Sequence, residues 1–367
     1  MERSFETKTA DIRKSKTTNV ILAVLLAVMV LLVAWMLPSS SQKEIGMQYK
    51  SASDINAVAE SGIVNIASTS LQGIYDLPEV YILPVSCDPA PKPKSEFVVE
   101  YGENGRIETG TYTDATIDVR VWKEYRDGTV YNFADVKINH PTQFRTMFAT
   151  GEYSTANRGE TPLNIAKQAN AVVAMNSDFC RYNQNGTLII RGGNFYKHTP
   201  SGWEILLVDE NGDFNFAIDS DVELTTTGNG VEWNGKVIYN TFSFGPVIVR
   251  DGKAITNYEN VEAGIHGMYL TGKNKVARAA IGQLGKLRYL LCTVDGTRSE
   301  TAGVTVPQLA LVLEEKGCIS AYNLDGGHSA TLVFNNEVVN YPAAKDNTGH
   351  QRTQSDIIYF GSAIPNE

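Results

Sequence analysis

The chain has 367 residues, 43% of them hydrophobic and 20% charged, enough to bury the core of one large domain or two small ones. Its formal net charge is −9 and its pI about 5.2, and no basic run is long, which argues against a nucleic-acid partner. Its four cysteines show no Cys-x-x-Cys spacing, which argues against a zinc cluster.

The first element in chain order is Val20–Leu37, 18 residues without a charge. A helix of that length, at about 1.5 Å per residue, roughly spans a bilayer core. Lys8, Arg13, Lys14 and Lys16 precede it, Trp35 marks its far end and Pro38 stops it. The pattern predicts a cytoplasmic tail (1–18) and a single-pass anchor in the cell membrane (19–37), with the remainder extracellular. The alternative is a cleaved secretory signal, which would also export the remainder; its apolar region is longer than such signals usually have.

Residues 38–75 are rich in Ser, Ala and Asn and read as a stalk. Residues 76–110 form a β extension that includes the proline-rich Cys87–Glu96, expected to be exposed and unable to form a central strand. Ala115–Tyr125 and Thr129–Ile138 read as a hairpin turned by Arg126-Asp127-Gly128. "TPLNIAKQAN" reads as a short helix with Thr161 as N-cap, Pro162 at N1 and Asn170 as terminator. It feeds the apolar run Ala171–Asn176, which ends in Ser177-Asp178-Phe179. Arg288–Val294 reads as a buried strand ending in Asp295-Gly296. "TVPQLALVLEEKG" then has Thr305 and Gln308 at capping-box spacing and Gly317 as stop. That helix feeds Ile319–Leu324, which ends in Asp325-Gly326-Gly327-His328-Ser329.

Three strands thus exit into polar motifs: Asn176/Asp178, Asp295 and Asp325. Strand–helix–strand units favour parallel neighbours, which would gather these exits on one sheet edge, where ligands commonly bind. The expected fold class is α+β, a mixed β-sheet with a few packed helices after the transmembrane helix.

The chemistry of the exits narrows by elimination. Gly327-His328-Ser329-Ala330-Thr331 fails as a nucleophile elbow, because Thr331 stands where glycine is needed and a strand hairpin turned at Asn335-Asn336 follows instead of a helix. Thr293 replaces the attacking aspartate of an aspartyl phosphotransferase signature ahead of Asp295-Gly296-Thr297. The five histidines have no metal-binding spacing, so neither metal nor cofactor is expected; His328 alone joins the site by position. What remains is a pair of carboxylates, Asp295 and Asp325, with Arg278, Arg298 and Arg352 in the same half of the chain. Paired carboxylates suit work at an anomeric carbon, and guanidinium groups suit phosphate oxygens. Gly326 and Gly327 would let backbone N–H groups approach an anion. The cysteines read as buried thiols, although export also permits disulfides, with three possible pairings.

Seven ordered segments carry a resemblance: "AVVAMNSDF" (171–179), "IIRGGNFY" (189–196), "SFGPVIVRDGK" (243–253), "ARAAIGQLG" (277–285), "VDGTRSETAGVTVPQLALVLEEKG" (294–317), "NLDGGHSATLVF" (323–334) and "QRTQSDIIYFG" (351–361). The chain resembles the phosphodiester glycosidase domain family over roughly residues 110–361, within an expected domain of 111–363. The resemblance implies hydrolysis of the sugar C1–O bond in a sugar-1-phosphodiester of a glycan or cell-envelope polymer. A non-catalytic glycan- or teichoic-acid-binding ectodomain on the same fold is the alternative. The site implied combines catalytic Asp325, Asp295 and Arg278 with substrate contacts from Asn176, Asp178, Arg298, Gly326, Gly327, His328, Ser329, Thr331 and Arg352. The family commonly has glycine where Ser177 and His328 stand and serine where Ala330 stands, which bears on substrate identity more than on reaction type.

Overall fold

The computed structural model describes residues 81–156, 159–179, 187–258, 274–296, 301–342 and 350–365, all within one compact unit, Pro78–Glu367. The expected tail, anchor and stalk, together with Arg298 and Cys180, lie outside the described residues. Among the described residues no helix is long and apolar enough to cross a membrane.

Strands dominate. A nine-stranded sheet runs, in spatial order, β1 (Val98–Tyr101), β2 (Ile107–Thr113), β3 (Ile117–Arg126), β4 (Thr129–Ile138), β17 (Arg288–Val294), β16 (Arg278–Gly285), β18 (Ser320–Leu324), β14 (Val247–Arg250) and β15 (Lys253–Ala254). A five-stranded sheet orders β20 (Glu337–Val338), β19 (Leu332–Phe334), β6 (Val173–Asn176), β21 (Asp356–Phe360) and β5 (Phe144–Phe148). A second five-stranded sheet orders β10 (Phe214–Ile218), β9 (Glu204–Asp209), β13 (Lys236–Phe242), β12 (Gly230–Trp233) and β11 (Thr225–Thr227). The pair β7 (Leu188–Arg191) and β8 (Asn194–His198) completes the set. The described α-helices are α1 (Pro162–Gln168) and α2 (Val306–Glu315).

The expected mixed α+β sheet is therefore corrected to a mostly β architecture whose described strand pairings are all antiparallel. The crossover β17–α2–β18 is present, but β18 does not land beside β17. Strand β16 occupies the place between them and runs antiparallel to both.

Local chemistry explains the elements. Arg126 pairs with Thr129, so Asp127 (φ 54°) and Gly128 (φ 72°) form a two-residue turn with both central residues left-handed, the conformation that matches hairpin twist. Asn335 and Asn336 (φ 51° and 58°) do the same between β19 and β20. The Thr161 side chain accepts from Asn164 N to start α1, and Asn170 leaves it at φ 53°. Thr305 and Gln308 form the reciprocal capping box of α2.

The core has layers. One face of the nine-stranded sheet (Val119, Val121, Ala134, Ile281, Leu291, Leu324) packs with Met175, Phe334, Phe360, Leu206 and Phe242 of the two five-stranded sheets. The other face (Phe133, Ala280, Cys292, Ala321) is covered by Leu309, Ala310 and Leu313 of α2. Ile165 and Ala166 of α1 cover the far side of the β6 sheet. The Cys87–Glu96 segment avoids strand structure as expected, yet it is not simply exposed. Ala90 is buried, its N–H donates to Ala169 O (3.0 Å) and its carbonyl accepts from Asn170 Nδ2 (2.8 Å). Arg145 also donates to Pro84 O (2.9 Å) and Asp88 O (3.1 Å), tying this part of the chain down. Cys87, Cys292 and Cys318 are free thiols, and burial pushes each above the usual thiol range.

Candidate active site

The ends of β17 and β18 come beside the start of β16 through antiparallel pairing, not through the parallel pairing that the sequence suggests. Arg278, the first residue of β16, pairs with Val294 on one side, and Ala279 pairs with Leu324 on the other. Asp295 and Asp325, each one residue past its strand, therefore flank the start of β16. The third exit comes from the β6 sheet. Asn176 Nδ2 donates to Asp325 O (2.7 Å) and Ser177 O (3.2 Å), and its Oδ1 accepts from Thr331 N (3.0 Å). With Asn176 N donating to Thr331 O (3.2 Å), the residue staples the 325–331 turn to β6.

That turn is tight because it lies on β16. A Cβ on Gly326 would sit 2.6 Å from Ala277 O and 3.2 Å from Arg278 Cα, so no side chain fits there. Gly327 (φ 56°) opens a single 3-10 turn, Gly327–Ser329, and its N–H donates to Ala277 O (2.7 Å). Ser329 N donates to Gly326 O (3.0 Å), and Thr331 Oγ1 donates to Ser329 O (3.1 Å). The Gly327 N–H is thus directed at the residue ahead of β16, and the Ser329 N–H and the Thr331 hydroxyl are directed into the turn itself. Ser329 is buried and Asp325 and His328 are partly exposed. Arg352 is exposed, and its Nη1 reaches Ser329 Oγ at 3.4 Å, which puts this guanidinium over the turn.

Asp295 and Arg278 are both 5% exposed but are held on opposite sides of the sheet. Asp295 Oδ1 accepts from Asn132 Nδ2 (3.0 Å) and Tyr341 N (3.2 Å), its N–H donates to Val130 O (2.9 Å), and Thr129 Oγ1 donates to its carbonyl. Asn132 is the register partner of Thr293, so Asp295 lies on the central-layer side. Arg278 shares the α2 side with Ala280, and its Nε and Nη2 donate to Val304 O and Asn274 O, each at 3.1 Å. Burial lowers its guanidinium to about 10, so it stays protonated at neutral pH.

Asp178 has a different neighbourhood. Its Oδ1 accepts from Arg191 Nη2, Ser177 Oγ and Phe179 N, each at 3.0 Å, and its Oδ2 from Ser243 N (2.9 Å). Arg191 is 1% exposed and also holds Asp356 Oδ2 through Nε (2.7 Å), while Nη1 donates to Thr241 O. Burial alone would lower the Arg191 guanidinium, but the Asp178 and Asp356 carboxylates outweigh it and raise it. Burial raises the Asp356 carboxyl, with Arg191 opposing and Asp178 adding to the rise. Asp178 thus belongs to a buried Asp–Arg–Asp network in which Arg191 links the exit of β6 to β7, β13 and β21. Arg191, Asp356 and Asn132 were missing from the sequence-based site. Arg191 at the end of "LIIR" and Asp356 at the start of "DIIYF" were legible as lone charges bordering apolar runs, which need partners once buried. Among the described residues no group of three or more His, Cys, Asp or Glu side chains is placed to hold a metal.

The model of the phosphodiester glycosidase family matches residues 169–361. The chain belongs to the phosphodiester glycosidase family. The SPbeta prophage-derived protein YomE of Bacillus subtilis (strain 168) is 29% identical over 199 residues, covering 51% of this chain and 28% of that protein. Human N-acetylglucosamine-1-phosphodiester alpha-N-acetylglucosaminidase is 28% identical over 203 residues, covering 51% of this chain and 36% of that protein. The chain therefore spans little more than a third, or less, of these relatives' length. The zebrafish N-acetylglucosamine-1-phosphodiester alpha-N-acetylglucosaminidase catalytic domain, solved auto-inhibited by its pro-peptide, superposes with a TM-score of 0.53 at 19% identity, covering 73% of this chain and 88% of that one. The superposition shows the shared fold, and family membership supports a glycosidase-like hydrolase.

Proposed function

We propose that this phosphodiester glycosidase family member hydrolyses the sugar C1–O bond of a sugar-1-phosphodiester in an extracellular glycan or cell-envelope polymer, anchored through Val20–Leu37. The observation that carries this reading is that the strand ends leading into Asp295 and Asp325 lie on either side of the start of β16. The leaving phosphomonoester has a second pKa of about 6 and departs as an anion without a strong general acid. Charge stabilisation is then the main task, and Arg278, Arg352 and Arg298 are assigned to the phosphate. Asp325 is partly exposed and is assigned to C1, as nucleophile or as base for water. Asp295, with Oδ1 fixed by Asn132 and Tyr341, is its oriented partner. Asn176 and Asp178 position the turn and the strand exits.

The test is release of reducing sugar from methyl N-acetylglucosamine-1-phosphate by the purified full-length chain. Asp325→Asn is expected to lower turnover by roughly 10²–10⁴-fold while leaving the thermal midpoint near the parent's. Near-parental turnover would remove Asp325 from the chemistry. Binding without release would favour a glycan-binding ectodomain.

A further inference from the structure

The side of β3 that faces the central layer begins as core and ends at the site. Ile117, Val119 and Val121 are buried, and the next residues on that side are Lys123 and Tyr125. Lys123 is partly buried and sits directly opposite Asn132 on β4. Side chains opposed in this way start about 4.5–5.5 Å apart at Cβ. Asn132 is the residue that donates to Asp295 Oδ1 at 3.0 Å, so the Lys123 side chain starts beside the holder of that carboxylate, whose charge acts on the ammonium.

The charged neighbours have assignments of their own. Glu108 accepts from Tyr125 OH at 2.9 Å. Arg106 donates to Asn340 O at 3.1 Å and stacks over the Tyr341 ring at 4.7 Å, next to the Tyr341 N–H that holds Asp295. Lys123 is different: among the described residues its ammonium makes no hydrogen bond or ion pair. A partly buried cation without a close partner is costly. Burial lowers its pKa, Glu108 and Asp295 partly restore it, and Arg106 opposes them.

We propose that Lys123 is an anion-binding side chain of this site, waiting for a phosphate oxygen of the ligand, and that the β2–β3 edge thereby helps select the ligand. The identity of the anion rests on the phosphodiester reading above; the placement of the cation does not. This edge lies outside residues 169–361, so it is a selecting element that the family match does not carry. A charge-assisted contact from ammonium to phosphate would give Lys123 the partner it lacks.

The experiment compares the full-length parent, Lys123→Met and Lys123→Arg. Calorimetric titration with inorganic phosphate reads the anion site, steady-state hydrolysis of methyl N-acetylglucosamine-1-phosphate reads KM against kcat, and thermal melting controls for folding. Lys123→Met keeps the apolar stem and is expected to weaken phosphate binding by about tenfold or more and to lower kcat/KM by at least that factor, through KM and through the charge that develops on the departing phosphate. Lys123→Arg keeps the charge and should stay within about threefold of the parent in both. Should Lys123→Met unfold, Lys123→Gln takes its place. Phosphate binding unchanged in the uncharged variant, or no phosphate binding by the parent, overturns the proposal. A parent that binds phosphate through Lys123 but hydrolyses nothing keeps the anion site and removes the glycosidase reading instead.

Discussion

At the scale of single residues, Asn176 shows how a motif residue changes meaning once its contacts are known. Its amide holds Asp325 O and Thr331 N, so Asn176→Ala leaves buried backbone groups unmatched on both sides of the turn. Each such group costs about 1–3 kcal/mol. The variant should lose about 2–6 kcal/mol of unfolding free energy for the two groups, read by urea denaturation, and also lose activity, because the 325–331 turn is no longer fixed to β6; an unchanged urea midpoint would show that the staple is dispensable. Asp295 and Asp325 were legible in the sequence because a carboxylate followed by glycine at the end of an apolar run marks a strand exit. The direction of the Asn176 amide was not, since donors and acceptors are assigned only by what the fold brings near. The Asp178–Arg191–Asp356 network was hidden for the same reason: its two carboxylates lie 13 and 165 residues from Arg191 in the sequence. Removing one partner of such a buried set typically costs about 3–5 kcal/mol, so Asp178 is under structural constraint whatever else it does.

Elements with local signals were readable. Both hairpin turns, the Thr161 cap and the Thr305–Gln308 box form where the residue types require them. Sheet order was not readable, and β16 shows why. Its sequence, "RAAIGQLG", has little of the β-branched character of a central strand, because its neighbours demand small residues: a Cβ on Gly282 would lie 2.5 Å from Cys318 Sγ. The strand that separates β17 from β18 thus carries a weak signal of its own. Helix α2 gives a quantitative contrast. Leu309 is fully buried against the nine-stranded sheet, whereas Leu311 is 53% exposed. Leu309→Ala should cost about 2–5 kcal/mol in urea denaturation and Leu311→Ala no more than about 0.5 kcal/mol. Equal costs would contradict the assignment of the packed face.

For the whole molecule, the site depends on two sheets meeting across one central layer: Asp295, Arg278 and Asp325 come from the nine-stranded sheet, and Asn176 from the sheet behind it. An extracellular polymer can reach such an edge only if the domain is exported, and the proposed function assigns that export to Val20–Leu37. If this segment anchors the chain, full-length protein should stay in the membrane fraction through alkaline carbonate washing and be released by detergent. Val28→Arg, at the middle of the segment, adds about 2.5–3.5 kcal/mol to insertion and should shift the chain toward the soluble fraction. A mature N-terminus found beyond Pro38, with the protein free in the medium, would replace the anchor by a cleaved signal. It would leave export in place, and the hydrolysis and phosphate-binding tests would keep their force. Full-length chain recovered from the cytosol with Met1 intact would instead remove the polymer substrate, because the site would then face only soluble intracellular phosphodiesters.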